Sequence, residues 1–195
     1  MGSERAATMS LTRMSTWPRA TFAIFAVTTV CMVAQALEPS VLESLRREPG
    51  AIASGEYWRL ITPALVHSGG WVHYAVNMTA LLVAGVALER RIGAARLVVI
   101  YVAASVVGEI VGLAWKPHGA GASVGVAGLT GALAAVIGMR SSLAMRWTVA
   151  ALAVALTAAS VLARDVHGPP MLTGALLCVL LVRGDVAREG THVRV

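Results

Sequence analysis

The chain has 195 residues, of which 57% are hydrophobic and only 13% are charged, and its mean hydropathy is +0.73. A soluble domain carries about 25% charged residues, so this composition excludes an ordinary soluble protein. The net charge of +6 is not gathered into a basic stripe with interleaved aromatic residues, so we predict no nucleic-acid partner. The partner that the composition indicates is the lipid bilayer.

Six stretches are long and apolar enough to be membrane spans. A transmembrane helix needs roughly 17–25 predominantly apolar residues. The candidates are about 20–37, 71–88, 97–115, 121–139, 147–163 and 166–182. We therefore predict an all-α polytopic membrane protein with a six-helix membrane domain at residues 20–183. Residues 1–19 and 184–195 form its tails, and residues 38–70 form its longest loop.

The basic residues predict the orientation of these spans. If the N-terminus is inside, eleven of the 16 basic residues fall in inside segments, as the positive-inside rule requires. The five Trp residues fall at or near predicted span ends, like an aromatic belt. We predict a multi-pass protein of the plasma (inner) membrane with both termini in the cytoplasm. The alternative for the first span is a cleaved signal peptide that ends at Ala34-Gln35-Ala36.

The loop of residues 38–70, which we call the outer loop because this orientation predicts it outside, contains a candidate surface helix at residues 40–48. Its apolar positions recur at helical spacing and are Val41, Leu42 and Leu45. Ser40 and Glu43 have the spacing of a capping box, and Pro49 would end the helix. We predict a short amphipathic helix that lies on the membrane surface.

Four polar residues from three predicted spans lie near the outer ends of their helices. Ser123 opens the fourth span and His167 opens the sixth. His73 and Asn77 are four residues apart in the second span and share a helix face. Interhelical hydrogen bonding is one explanation. Because polar residues inside a bilayer are usually functional, their common depth favours a catalytic site.

These residue types suit peptide-bond hydrolysis inside the membrane. A serine hydroxyl is a weak nucleophile until a neighbouring base takes its proton, which makes Ser123 and His167 a candidate pair. The tetrahedral oxyanion needs preorganised donors, which His73 and Asn77 can supply. Asp165 would lie on another face of a helix from His167, so we interpret it as a cap or as a loop partner of Arg164, with a third catalytic member as the alternative.

The sequence predicts neither a metal site nor a cofactor. His67, His73 and Asn77 do not have the spacing of a zinc motif such as HExxH. Cys31 and Cys178 fall at different depths of two spans, so we expect small apolar side chains rather than a disulfide. Glu109 is a lone acid in the third span, and we expect it to reach the outer rim or a water-filled cavity.

Together these residues resemble the rhomboid family of intramembrane serine proteases over about residues 56–182. The matching motifs are Trp58-Arg59, Thr62, His67, His73-x-x-x-Asn77, Leu88-Glu89-x-x-x-Gly93, Arg96, Gly121-x-Ser123, Gly128-Leu129, His167 and Gly174. The resemblance implies a rhomboid-like bundle of six transmembrane helices with a Ser–His dyad. It implies Ser123 as the nucleophile and His167 as the general base. It assigns His73 and Asn77 to the oxyanion site, with the N–H of Ser123.

Three positions differ from the family pattern. Val124 and Pro170 stand where the family usually has glycine, and Ala127 stands where it often has an aromatic residue. The resemblance implies a serine endopeptidase that cleaves transmembrane segments of other membrane proteins near the outer face. The alternative is a catalytically inactive rhomboid-like protein that binds transmembrane helices. A small transporter is a third class, although no pair of internal repeats with broken helices is evident.

Overall fold

The structure is a computed structural model that describes the backbone of residues 17–191 and the side chains of residues 17–182. Within this range the chain is helical, and its one isolated β-bridge joins Arg47 to Gly119. The helices are α1 (Arg19–Leu37), α2 (Ser40–Leu45), α3 (Pro49–Ala53), α4 (Gly70–Ile92), α5 (Ala94–Trp115), α6 (Ser123–Met139), α7 (Leu143–Leu162) and α8 (Gly168–Thr191). Two short 3-10 turns, Tyr57–Leu60 and Thr62–Leu65, complete the outer loop.

The six predicted spans coincide with six of these helices. By length and composition, α1, α4, α5 and α7 can cross a membrane, while α6 and residues 168–182 of α8 are shorter apolar helices. The all-α membrane fold is confirmed. The boundaries differ by a few residues, because α5 begins at Ala94 and α7 begins at Leu143. The helical backbone of α8 continues to Thr191, into the segment predicted as a tail.

Glycine, proline and serine set several helix ends. Gly93 has φ +85°, a conformation that a side chain rarely permits, and it separates α4 from α5. Pro169 and Pro170 lie in the first turn of α8, where a missing N–H has no helical partner to lose. The hydroxyl of Ser142 accepts a hydrogen bond from the N–H of Met145 at 3.3 Å and so caps α7.

Helix α6 is the central helix, and its closest partner is α8. A Cβ added to Gly174 would overlap the backbone of Gly128, and one added to Gly131 would overlap the carbonyl group of Met171. The two helices therefore touch through their backbones, as small residues allow in membrane bundles. We call this backbone contact the α6–α8 seam. Gly128 and Gly174 each lie within two turns of a helix start, so the seam places the first residues of α6 and α8 side by side.

Glu89 in the last turn of α4 holds the start of α1. Its carboxylate accepts hydrogen bonds from the N–H groups of Ala20 at 3.0 Å and Thr21 at 2.8 Å, and from the Thr21 hydroxyl at 2.7 Å. The first N–H groups of a helix have no partner within that helix, and a negative charge there is favourable. Gly85, one turn before Glu89, leaves room for the Thr21 side chain.

The outer-loop helix differs from its prediction in its cap and its length. Ser40 is the first residue of α2 rather than its cap, and no side chain caps this helix. The capping-box prediction is wrong, because Glu38 rather than Glu43 provides the side-chain acceptor at this end, binding the N–H of Ser40 at 3.2 Å. Pro49 opens α3 instead of simply ending α2. The apolar positions of α2 are half-buried.

Candidate active site

Ser123 is the first residue of α6 and follows a loop of residues 116–122 that the outer loop holds in place. The N–H of Gly121 donates to the carbonyl oxygen of Pro63 at 2.9 Å, and the N–H of Ala122 donates to Nε2 of His67 at 3.4 Å. The N–H groups of the first turn of α6 have no acceptor within that helix. The backbone N–H of Ser123 is thus suited to bind a developing oxyanion.

His67 is a buried support for this loop. Its ring meets those of His73 and Tyr74 edge to face, with centroids 5.2 and 5.5 Å apart. The side chain of Gln35 binds both its backbone N–H and its carbonyl oxygen, at 2.9 and 3.0 Å. Burial, together with the nearby His73, lowers the pKa of His67 to about 4. The ring is therefore neutral at pH 7, as an acceptor for the N–H of Ala122 must be.

His167 lies in the turn just before α8, and its side chain is 39% exposed. Its N–H donates to Oδ1 of Asp165 at 2.9 Å, and its Nδ1 lies 2.7 Å from the same oxygen. A carboxylate can only accept, so Nδ1 carries a hydrogen, and in the neutral ring the lone pair is then on Nε2. The expectation that Asp165 faces away from His167 is wrong, because both residues precede the helix and form a turn.

Asp165 also connects this turn to the loop before Ser123. Its Oδ2 lies 3.8 Å from Nζ of Lys116. Partial burial raises the pKa of Asp165, but the hydrogen bonds from His167 and the charge of Lys116 outweigh that effect and lower it below the ordinary value. The carboxylate is therefore charged at neutral pH. The turn also needs Arg164 at φ +51°, a conformation that costs a residue with a side chain about 1–2 kcal/mol.

His73 in the first turn of α4 lies between the two helix starts. A Cβ on Gly121 would come within 2.5 Å of its Cε1, so its ring covers the loop before Ser123. The ring also lies close enough to His167 to interact electrostatically with it. Asn77 lies one turn further along the same helix face and is buried, and its Nδ2 donates to the carbonyl oxygen of His73 at 2.8 Å.

Ser123 and His167 approach each other through their helices but are not joined by a hydrogen bond in the part of the chain that the structure describes. Their contact stays a prediction, since catalytic hydrogen bonds are often loose without substrate. Two residues near them in the sequence, Val124 and Pro170, pack against the same glycine of α5. A Cβ on Gly108 of α5 would lie 2.6 Å from Cβ of Val124 and 3.0 Å from Cγ of Pro170. Two of the departures from the family pattern thus pack at one glycine.

The third departure, Ala127, is buried one turn after Ser123. Cys31 and Cys178 are free thiols, half-buried and buried respectively. Among residues 17–182, no group of three or more His, Cys, Asp or Glu side chains is arranged to hold a metal ion.

The comparisons with known proteins agree on one family. The family model of the Rhomboid domain matches residues 54–184. The rhomboid protease GluP of Bacillus subtilis is 43% identical over 88 residues, which cover 45% of this chain and 17% of that protein. RHOMBOID-like protein 5 of Arabidopsis thaliana is 35% identical over 99 residues, which cover 50% of this chain and 31% of that protein. The chain thus spans less than a third of the length of these relatives.

Proposed function

This chain belongs to the rhomboid family, and from that premise we propose that it is an intramembrane serine endopeptidase. We infer that it cleaves transmembrane segments of other membrane proteins near the outer face of the plasma membrane. The observation that carries the proposal is geometric: the ring of His73 covers the loop before Ser123, and the close backbone contact of α6 with α8 brings the start of α8, next to His167, beside the start of α6. Helices α4, α6 and α8 thereby contribute polar groups to one site.

In the proposed mechanism Ser123 is the nucleophile and His167 is the general base. Oγ of Ser123 attacks the carbonyl carbon of the scissile peptide bond while Nε2 of His167 takes its proton. The imidazolium then protonates the leaving amine, and the peptide bond breaks. A water molecule attacks the resulting ester with Nε2 again as the base, which releases the second product and restores Ser123. Asp165 holds Nδ1–H throughout and stabilises the imidazolium.

Three donors are proposed for the oxyanion that forms at the attacked carbonyl. The first is the backbone N–H of Ser123 at the start of α6. The second is His73. The third is Asn77, whose amide nitrogen donates one hydrogen to the carbonyl oxygen of His73 and keeps the other for the oxyanion.

The proposal includes a topology. Eleven of the 16 basic residues favour a cytoplasmic location for both termini, which leaves residues 38–70 outside. Ser123, His167 and His73 each stand at or near the start of a helix that runs from outside to inside in this topology. The site therefore opens near the outer face, within reach of the water that hydrolysis consumes.

A serine-directed fluorophosphonate tests the proposal. The purified protein is expected to react with this reagent and to cleave a helical membrane substrate, and Ser123→Ala should lose both activities. His167→Ala should also abolish cleavage, and the double variant should be no worse, because the pair acts as a unit. Asn77→Ala should keep residual activity, since removal of one oxyanion donor costs roughly 2.7–4 kcal/mol.

The second candidate function is that of an inactive relative that binds transmembrane helices. The observation that favours it is the departure from the family pattern at three positions near the proposed dyad, Val124, Ala127 and Pro170. A folded wild-type protein that never reacts with the fluorophosphonate, but that captures a transmembrane helix equally well with and without Ser123→Ala, would establish this alternative.

A further inference from the structure

A second buried polar cluster lies outside the proposed site and is centred on Arg47 of the outer loop. Arg47 is 5% exposed and Glu109 of α5 is 2% exposed. Nη1 of Arg47 donates to the Glu109 carboxylate in a buried ion pair. Glu109, expected at the outer rim or in a water-filled cavity, is therefore enclosed by protein. The mechanism proposed above uses neither residue.

Other donors of Arg47 bind the loop that precedes Ser123. Nε and Nη2 donate to the carbonyl oxygen of Lys116 at 3.2 and 2.6 Å. The backbone N–H of Arg47 donates to the carbonyl oxygen of Gly119 at 3.0 Å. Because a guanidinium is planar and its donors form a rigid fork, these contacts fix the orientation of the loop as well as its distance.

Two glycines form a cradle for the guanidinium. A Cβ on Gly112 of α5 would overlap Cζ and Nη1 of Arg47, and a Cβ on Gly119 would lie 2.9 Å from Nη2. Any larger residue at Gly112 must displace the guanidinium from its place between α5 and the loop.

A contribution to folding stability is a poor explanation for the buried ion pair of Arg47 and Glu109. Each buried ion loses several kcal/mol of hydration, which mutual attraction repays only with excellent geometry. Apolar residues of similar volume are often equally stabilising or better. What an apolar pair cannot supply is the set of directed hydrogen bonds to Lys116.

We propose that Arg47 and Glu109 are positioning residues for the proposed hydrolysis. They hold the near end of the loop of residues 116–122, while Pro63 and His67 hold its far end. The loop in turn sets the N–H of Ser123. This inference rests on the proposed function, because the group that it positions is the proposed nucleophile.

The same loop also reaches the proposed base. Lys116, whose carbonyl oxygen binds Arg47, carries the ammonium that lies 3.8 Å from Asp165. Asp165 in turn binds Nδ1 of His167. Loss of the Arg47 contacts is therefore expected to loosen both ends of the Ser123–His167 pair.

The test compares three variants of the full chain in detergent. The double variant Arg47→Met/Glu109→Met removes both charges together and so avoids an unpaired buried ion. Gly112→Ala keeps both charges but closes the cradle. Arg46→Gln is the matched control, because Arg46 is adjacent in sequence and pairs with the exposed Glu43 instead. The readouts are the thermal midpoint, amide hydrogen exchange over residues 117–122 and the rate of fluorophosphonate labelling.

The proposal expects the double variant to melt near the wild-type temperature, yet to exchange its loop amides faster and to label about 10- to 100-fold more slowly. Gly112→Ala should slow labelling in the same direction, and Arg46→Gln should match the wild type. Unchanged exchange and labelling in the double variant would overturn the proposal. So would a labelling loss that vanishes after correction for the unfolded fraction, because that result indicates a purely structural pair.

The two proposals fail in distinguishable ways. If the wild type never labels but the double variant loses protection at residues 117–122, the protease function fails while the role of Arg47 in holding the loop stands. If the wild type labels and the double variant labels equally fast, the protease function stands and the positioning role fails.

Discussion

The backbone seam between α6 and α8 yields a sharp prediction for Gly174→Ala. The new methyl group would overlap the Gly128 backbone, which cannot rotate away as a flexible side chain would. The helices must therefore separate, and overpacking of this kind costs about 1–3 kcal/mol or more. Alanine regains about 1 kcal/mol of helix propensity over glycine. Near the upper end of the overpacking range, a net loss of roughly 2 kcal/mol remains.

Gly138→Ala is the matched control, at a position where α6 faces α7 rather than α8. Gly138 lies in the last turn of α6, and a Cβ there would lie 3.4 Å from Cβ of Val149, an ordinary van der Waals contact. The propensity gain then acts without an opposing clash, so the variant is expected to equal the wild type or to gain up to about 1 kcal/mol. The two variants make the same chemical change and differ only in what the methyl group meets.

The assay is reversible unfolding in mixed micelles, followed by circular dichroism, together with fluorophosphonate labelling under native conditions. Gly174→Ala should unfold more easily and should also label more slowly, because wider spacing of α6 and α8 separates Ser123 from His167. Two results would contradict direct backbone contact between α6 and α8: an unchanged free energy of unfolding in Gly174→Ala, or an equal loss of that free energy in Gly138→Ala.

Three further predictions concern charge and topology. The free energy of unfolding should fall by up to roughly 3 kcal/mol as the pH drops from about 6.5 to about 4, because His67 is protonated in the unfolded state before it is protonated in the folded state. His67→Gln should remove most of this dependence of the free energy on pH. Glu89→Gln should cost about 2 kcal/mol by weakening three hydrogen bonds to α1, and an unchanged melting midpoint would contradict that role. In a background without native cysteines, an impermeant thiol reagent should label Ser44→Cys but not Ser141→Cys from outside cells.

The helical membrane fold was predictable because hydropathy alone determines it. Charge-free stretches of about 17 residues or more have few stable alternatives to a helix inside a bilayer. Helix ends were less predictable because several local groups compete for them. At α2, Glu38 rather than Glu43 supplied the acceptor for the N–H of Ser40, and the capping-box spacing had indicated Glu43.

The candidate site was predictable where it repeats a family pattern and was missed elsewhere. That pattern predicted Ser123, His73 and His167 at or near helix starts, which is where the structure has them, while their catalytic roles stay predictions. The contact between Asp165 and His167 was missed because α8 begins at Gly168, one residue after His167, so the helix-face argument did not apply. Only a correct helix boundary would have revealed it.

Long-range pairs were the least predictable part. Arg47 and Glu109 are 62 residues apart in the chain, and the sequence marked Glu109 only as an unusual acid within a span. Its partner lies in an irregular loop, where no periodicity predicts a direction for the side chain. The glycines of the cradle were visible as small residues of α5, but nothing in their spacing identified a guanidinium as the group that they accommodate.

The structure gives the departures at Val124 and Pro170 an explanation that the sequence alone does not. Taken one at a time, each replaces a glycine and suggests a lost close contact near the proposed nucleophile or base. In the structure both side chains pack at Gly108 of α5, where a Cβ would clash with each of them. The volume added to α6 and α8 is therefore accommodated on a third helix. Since Val124 and Pro170 both pack at Gly108, a change at any one of these three residues affects the other two. Whether Ser123 and His167 can form a hydrogen bond therefore depends on residues of α5, α6 and α8 together.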